Sequence, residues 1–353
     1  MPAYARCEIV DEINVGVYHC VSRCVRRAFL CGQDPLSSQN FDHRKNWIQD
    51  GMESLAGIFA VDVLGFSVMS NHIHVVLRNR PDLAAEWSDE EVARRWWRLH
   101  PLRRNEGGSP AEPNAQEMAA LLADVDAIAE HRRRLSSISW WMRSLCEPIA
   151  RRANREDRCT GRFWEGRFKS QALLDEAAML ACSIYVDLNP IRARLAETPE
   201  TSAFTAAFER IAARQATAAN TASAAELVGG AACDAWLSPV PDADAGGARR
   251  ELPLPSARAS NRGFLPLSLD DYLLLLDWTG RQVCSDKPGA IPADLLPILQ
   301  RLAINAETWL DTINSFGRRF HRAVGRAANM AARAGRSGKQ WFQGTAFSRL
   351  AFD

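Results

Sequence analysis

The chain is poor in tyrosine, with 4 in 353 residues, so a reaction that needs a phenol has only Tyr4, Tyr18, Tyr185 and Tyr272 to draw on. It has no apolar run near the roughly eighteen residues that cross a bilayer. Its start, with Glu8, Asp11 and Glu12, lacks the basic and then apolar pattern of a secretory signal. A membrane partner is therefore not expected, and a cytoplasmic location is. No Cys-x-x-Cys pair occurs among the 9 cysteines. That absence excludes a zinc ribbon of the usual spacing, and the odd number suits a reducing compartment better than a disulfide framework. Cys20 and Cys24 are expected to pack. Excess charge is lacking too: a net +1, with 47% hydrophobic and 24% charged residues, is an ordinary globular balance.

The near-zero total hides two basic stretches. From His131 to Ser170, eleven basic residues stand against Glu147, Glu156, Asp157 and Glu165. From Thr312 to Phe352, Arg318, Arg319, Arg322, Arg326, Arg333, Arg336, Lys339 and Arg349 meet no acid. Phosphate backbones suit such stretches, the more so where aromatic residues are interleaved. Solvated helix faces also carry arginines, so charge alone leaves both readings open.

Alternating β-branched and aromatic residues predict a first strand over Val15–Ser22, and Phe41, Trp47, Ile48 and Met52 predict a helix over 41–56. Strand-like residues return over 58–69 and, after a tight turn at Ser70-Asn71, from His72 to Arg78, which makes a hairpin. In its second strand His72 and His74 share one face while Ile73, Val75 and Leu77 share the other. Two imidazoles so placed are half of a divalent-cation site. A His-x-His on a strand is more often no ligand pair at all, so a third ligand and a reacting group must decide.

Residues 81–139 begin acidic and Trp-rich, break at Gly107-Gly108-Ser109-Pro110 and continue rich in Ala and Leu, the pattern of a helical insertion at about 85–135. Trp96, Trp97, Trp140 and Trp141 suit either base stacking or a core. A helix with an arginine-bearing face is expected over 140–154. Cys159 to Ser170, with Arg162, Phe163, Trp164, Arg167 and Lys169, is expected to form a hairpin or strand whose rings and cations fit single-stranded nucleic acid. Asp175 and Glu176 open a further helix that runs to Asn189-Pro190. On it Tyr185 and Asn189 lie one turn apart, a phenol beside an amide oxygen. A core tyrosine and a helix-ending asparagine have the same spacing.

Four blocks occur in order: Tyr18-His19-Cys20-Val21-Ser22-Arg23, Met69-Ser70-Asn71-His72-Ile73-His74-Val75-Val76-Leu77, Phe163-Trp164-Glu165-Gly166-Arg167-Phe168-Lys169-Ser170 and Tyr185-Val186-Asp187-Leu188-Asn189-Pro190-Ile191-Arg192-Ala193. Together they resemble the single-tyrosine HUH transposases, and within them the REP-associated tyrosine transposases. The likeness spans about residues 10–200 apart from the insertion. It implies a ferredoxin-like antiparallel sheet flanked by helices, with His72 and His74 as ligands of Mg²⁺ or Mn²⁺, Asn189 as the third ligand and Tyr185 as the nucleophile. It further implies DNA contacts from Arg23, Arg162, Phe163, Trp164, Arg167, Lys169 and Arg192. The implied partner is single-stranded DNA with palindromic hairpins, met by a monomer or homodimer that is nucleoid-associated when bound. Ser70 stands where the family has a proline and Cys24 where it has a glycine; both bear on turn geometry and on no reacting atom.

The expected whole is an α+β protein: a catalytic domain over 1–200, a helix and flexible linker over 201–262, and a small, basic, all-helical accessory domain over 263–353. In the last, Ser268 is expected to cap a helix that Gly280 ends, with further helices over 293–302 and 307–324. Three activities compete. The first is cleavage and rejoining of hairpin-bearing DNA through a 5′-phosphotyrosine. The second is a nucleic-acid-binding regulator of the same fold without cleavage. The third, a metal-dependent hydrolase of small substrates, needs more ligands, and His100, His131 and His321 have no ligand-like spacing.

Overall fold

The computed structural model describes residues 8–25, 30–32, 38–222, 233–241, 256–284, 292 and 294–353. The chain begins with strand β1, Gly16–Arg23, helix α1, His43–Ile58, and the hairpin of β2, Val61–Val68, and β3, His72–Asn79. The expected insertion is helical: α2, Pro81–Glu86, α3, Asp89–Leu99, α4, Ala115–Leu122, and α5, Val125–Leu135. Next come α6, Ile138–Glu156, β4, Lys169–Leu173, α7, Glu176–Asp187, α8, Asn189–Arg192, and α9, Ala206–Ala222. The C-terminal region holds α10, Leu269–Val283, α11, Leu296–Arg301, α12, Trp309–Arg319, β5, Ala323–Val324, α13, Ala327–Arg336, and α14, Thr345–Ala351.

The sheet order is β2-β3-β1-β4-β5. Its first four strands pair antiparallel, as expected, and β5 adds to β4 in parallel. The C-terminal region is helical as expected, except that it lends the sheet this fifth strand. A parallel neighbour needs a long connection, and here nearly the whole second half of the chain provides it. The β2–β3 turn is Ser70-Asn71, closed by the Met69 N–H donating to the His72 carbonyl at 2.9 Å.

Strand alternation sorts the sheet residues onto two faces. Tyr18, Cys20, Ile73, Val75 and Leu77 are buried on one, which α1 and α6 cover. His19, His72, His74 and Gln171 share the other, and α7 lies across it in contact with β2, β3 and β4. Cys20 and Cys24 are fully buried and unbridged, as their packing role requires. Among the described residues no helix is long and apolar enough to cross a membrane.

Several expectations are corrected. The stretch Cys159–Ser170 is no hairpin: only its end enters β4, and Trp164 makes a single bridge to Cys24. Positive φ at Arg158 (48°) and Gly161 (101°) turns the chain before a strand can form. Ser268 does cap α10, accepting the Asp271 N–H, but the helix continues past Gly280 to Val283. Gly280 instead allows close approach to α8, since a Cβ there would sit 3.1 Å from Leu188 Cδ2. In the described part of the expected linker, Trp236, Leu237 and Val240 are buried, and the Ser238 N–H donates to Val63 O; residues 242–255 lie outside the described residues. Four of the eight cations in the C-terminal basic stretch are engaged by the protein itself. Arg319 pairs with Asp311 and Arg322 with Glu8, and Arg326 and Arg333 donate to the carbonyls of Leu302 and Ile9.

Asp175 ties the C-terminal region to α7. Its Oδ1 accepts the Ala178 N–H as N-cap at 3.0 Å, while Oδ2 accepts from the Arg326 N–H at 2.7 Å and Asn329 Nδ2 at 2.8 Å. Asp175→Ala is expected to destabilise the protein by about 4 kcal/mol, the sum of a lost cap of about 1 and two lost bonds to a charged acceptor of about 1.5 each, measured by urea unfolding.

Candidate active site

The histidine pair and the tyrosine come together across the sheet. His72 opens β3 and is half-buried, and His74 is buried, with ring centroids 4.7 Å apart. Tyr185 projects from α7 onto the same face, its ring edge-on at 5.8 Å from His74 and 6.1 Å from His19. Helix α7 stops at Asp187 and Asn189 begins α8, where Pro190 occupies the first turn and its missing N–H costs nothing. Asn189 is 8% exposed, and among the described residues its Nδ2 has no hydrogen-bond partner; His74 Nε2 is buried and equally without one.

The ring nitrogens constrain one another. His72 Nδ1 lies 2.6 Å from Asn71 Oδ1. An amide oxygen only accepts, so this nitrogen carries the hydrogen and Nε2 keeps its lone pair. His74 Nδ1 lies 2.8 Å from His19 Nε2. Burial lowers the pKa of His19 and of His72 to about 4, Arg23 adding to the effect at His72, and burial with the neighbouring histidines holds His74 well below 6.5. All three rings are therefore neutral near pH 7, the form in which imidazole ligates a metal. Among the described residues no group of three or more His, Cys, Asp and Glu side chains is placed to hold a metal ion. The expected set of two imidazoles and one amide is not such a group.

Tyr185 differs from the other described tyrosines. The Tyr18 hydroxyl accepts the Asp11 N–H at 2.8 Å and the Tyr272 hydroxyl donates to Asp187 at 2.6 Å, both in buried settings. No hydrogen bond among the described residues ties the Tyr185 hydroxyl. Its ring is held by Phe316 of α12, stacked at 5.1 Å, and by the Arg192 guanidinium at 4.8 Å. Tyr4 lies outside the described residues.

No family model matches the chain, and no curated protein does. Among solved structures it is similar to a REP-associated tyrosine transposase bound to a REP hairpin, at 10% identity over 66% of this chain and 96% of that one, with a TM-score of 0.34. So loose a superposition decides nothing about this chain's chemistry, which rests on its own residues.

The remaining expected site residues divide. Arg23, opposite His72 in the β1–β3 register, is exposed, as are Arg162, Arg167 and Lys169. Arg192 is half-buried, its Nη2 donating to Asn314 O at 3.1 Å. Phe163 is only 2% exposed, so its ring belongs to the core and is not presented for stacking on bases. Trp164 is half-buried and donates its indole N–H to Cys146 O at 2.8 Å. Trp97 and Trp141 are core residues, whereas Trp96 stacks on His131 at 3.9 Å.

Two residues escaped the sequence reading. His19 sits in the first motif block, and β1 alternation alone puts it on the face of Val21 and Arg23, but only the strand order shows that His74 is its neighbour. Phe316 reaches the site from the far end of the chain, with no local signal.

The histidines give stability a sign in acid. Their folded pKa values lie below the ordinary 6.5, so between about pH 6.5 and 4 the unfolded chain takes up protons that the fold refuses. The stability they contribute is fully present above 6.5 and is lost as pH falls towards 4. With EDTA present, the melting temperature of the wild type should drop over this range more steeply than that of His72→Gln, whose side chain cannot charge.

Proposed function

We propose that this protein cleaves and rejoins single-stranded, hairpin-bearing DNA through a phosphotyrosine formed on Tyr185, as the ordered motif blocks imply. The observation that carries the proposal is the half-buried Tyr185, its hydroxyl in no hydrogen bond among the described residues, above the neutral His74–His19 pair with Arg192 against its ring. The phenolic oxygen attacks the scissile phosphorus as the P–O3′ bond breaks. The 5′-phosphate stays on the enzyme and the departing 3′-oxygen takes up a proton, so the bond energy is kept for rejoining. Arg192 stands close enough to Tyr185 to offset the phosphate's charge.

His72 Nε2, His74 Nε2 and the Asn189 amide are the groups that would hold Mg²⁺ or Mn²⁺. The orphaned His74 Nε2 fits that use, since burial of a lone pair without a partner is otherwise costly; the Asn189 side chain would offer its Oδ1, because its nitrogen only donates. Bound there, such a cation polarises a phosphodiester oxygen and offsets charge in the transition state.

The DNA backbone is assigned to the cations beside this face. Arg155, Arg158, Arg162, Arg167 and Lys169 are exposed, and none of them has an acidic partner among the described residues. Their loop is fastened to the end of β1 by the Val25 N–H donating to Phe163 O at 2.9 Å and the Glu165 N–H to Arg23 O at 2.8 Å. The track therefore ends at Arg23, next to His72. Replacing Arg155, Arg158 and Arg162 together by Ala is expected to weaken hairpin binding and lower its log–log salt slope by about 2 to 3, read from titrations at several salt concentrations.

One feature favours the binding-only regulator. A Cβ at Gly317 of α12 would lie 3.0 Å from the Tyr185 hydroxyl, and Phe316 covers the ring, so the phenol is hemmed in. The deciding experiment incubates the protein with Mg²⁺ and an end-labelled hairpin oligonucleotide and runs a denaturing gel. A protein-linked band that disappears in Tyr185→Phe is expected. His72→Ala should lose the band too while keeping most hairpin affinity in a native gel. Binding with no band under Mg²⁺ or Mn²⁺ would leave the regulator, and a band persisting in Tyr185→Phe would remove Tyr185 from the chemistry.

A further inference from the structure

His19 is 2% exposed at the middle of the central strand, where an apolar residue would cost less to bury. Its contact with His74 is directed. The Nε2–Nδ1 separation is 2.8 Å and the ring planes lie 11° from parallel. The centroids are 5.0 Å apart, close to the most an in-line N–H···N contact of that length allows. The rings are therefore joined edge to edge in nearly one plane rather than stacked face to face, the geometry of a well-aligned hydrogen bond.

Between two neutral imidazoles one nitrogen donates and the other accepts, and the choice sets the state of the remaining nitrogens. If His74 accepted, its proton would sit on Nε2, which is buried with no acceptor within reach among the described residues. If His74 donates, Nε2 is a lone pair. Gln171 stands opposite His19 in the β1–β4 register, 1% exposed, and neither polar atom of its amide has a hydrogen-bond partner among the described residues. With its own hydrogen on Nδ1, His19 has Nε2 left to accept.

We propose that His19 is a positioning residue: by accepting the Nδ1–H of His74 it fixes that ring in the tautomer whose Nε2 lone pair faces the cation site. This rests on the reading of His72 and His74 as ligands. It gives both histidines the same arrangement by different means, since Asn71 holds the Nδ1–H of His72 and His19 that of His74. Such outer partners orient a ligand and raise its basicity.

The test does not depend on cleavage. Long-range ¹H–¹⁵N spectra of the metal-free protein near pH 7 should show His74 with a protonated Nδ1 and a bare Nε2; the opposite tautomer overturns the proposal. His19→Phe, which removes the acceptor, should scramble the His74 tautomer and weaken Mn²⁺ binding by about 10- to 100-fold in calorimetry. His19→Gln, whose amide oxygen accepts, should recover most of that loss. A merely structural His19 would lower the melting temperature in both variants and leave the His74 tautomer as it was. Should the wild type bind no Mn²⁺, the proposed chemistry falls while the wild-type spectrum still decides the role of His19. Should His19→Phe fail to fold, that same spectrum decides it.

Discussion

The site depends on the way α7 lies across the sheet, in contact with β2, β3 and β4. That one packing arrangement brings Tyr185 over His74 and His19, buries both rings and so keeps them neutral. It follows from the composition of α7: Ala177, Ala178, Leu180, Ala181, Ile184 and Val186 are buried, and small residues let the helix approach the sheet closely. Asp175 fixes where the helix starts and Pro190 where its successor can begin. Between those stops Tyr185 has little freedom to lie elsewhere.

Such a face is costly. Buried imidazoles, an orphaned His74 Nε2, an orphaned Asn189 Nδ2 and the idle amide of Gln171 crowd together on the face of α7 and the sheet, where apolar side chains would pack with no loss of water hydrogen bonds. Orphaned groups in a buried cluster mark places where stability gives way to another requirement. The opposite face of the same sheet, formed by Tyr18, Cys20, Ile73, Val75 and Leu77 against α1 and α6, shows what β1 and β3 build when no such requirement acts.

Much of this was legible in the sequence because the signals were local. Period-two alternation placed His72 and His74 on one face, the Ser70-Asn71 turn set the hairpin, and Ser268 announced the start of α10. What stayed hidden was set by distant contacts or by single backbone angles. The aromatic run around Phe163 reads as a strand until Arg158 and Gly161 take positive φ, and Phe163 reads as a base-stacking ring until its burial is known. Gly280 reads as a helix stop because its use, close passage of α10 over Leu188 and Ile191, lies on another helix. The pairing of His19 with His74 needed the strand order, which the alternation of single strands does not contain.

The C-terminal region is the largest departure from a modular picture. An accessory domain joined by a linker would keep its own core and its own surface charges. Here β5 extends the sheet, Phe316 stacks on Tyr185, the Asn314 carbonyl holds Arg192, and arginines of the basic stretch bind Glu8 and the Ile9 carbonyl near the other end of the chain. Helix α12 thus forms one wall of the candidate active site. Under the function proposed above, a DNA strand reaching the Tyr185 hydroxyl would pass between that wall and the sheet, so the close approach of α12 to Tyr185 at Gly317 would bear on which strands can enter.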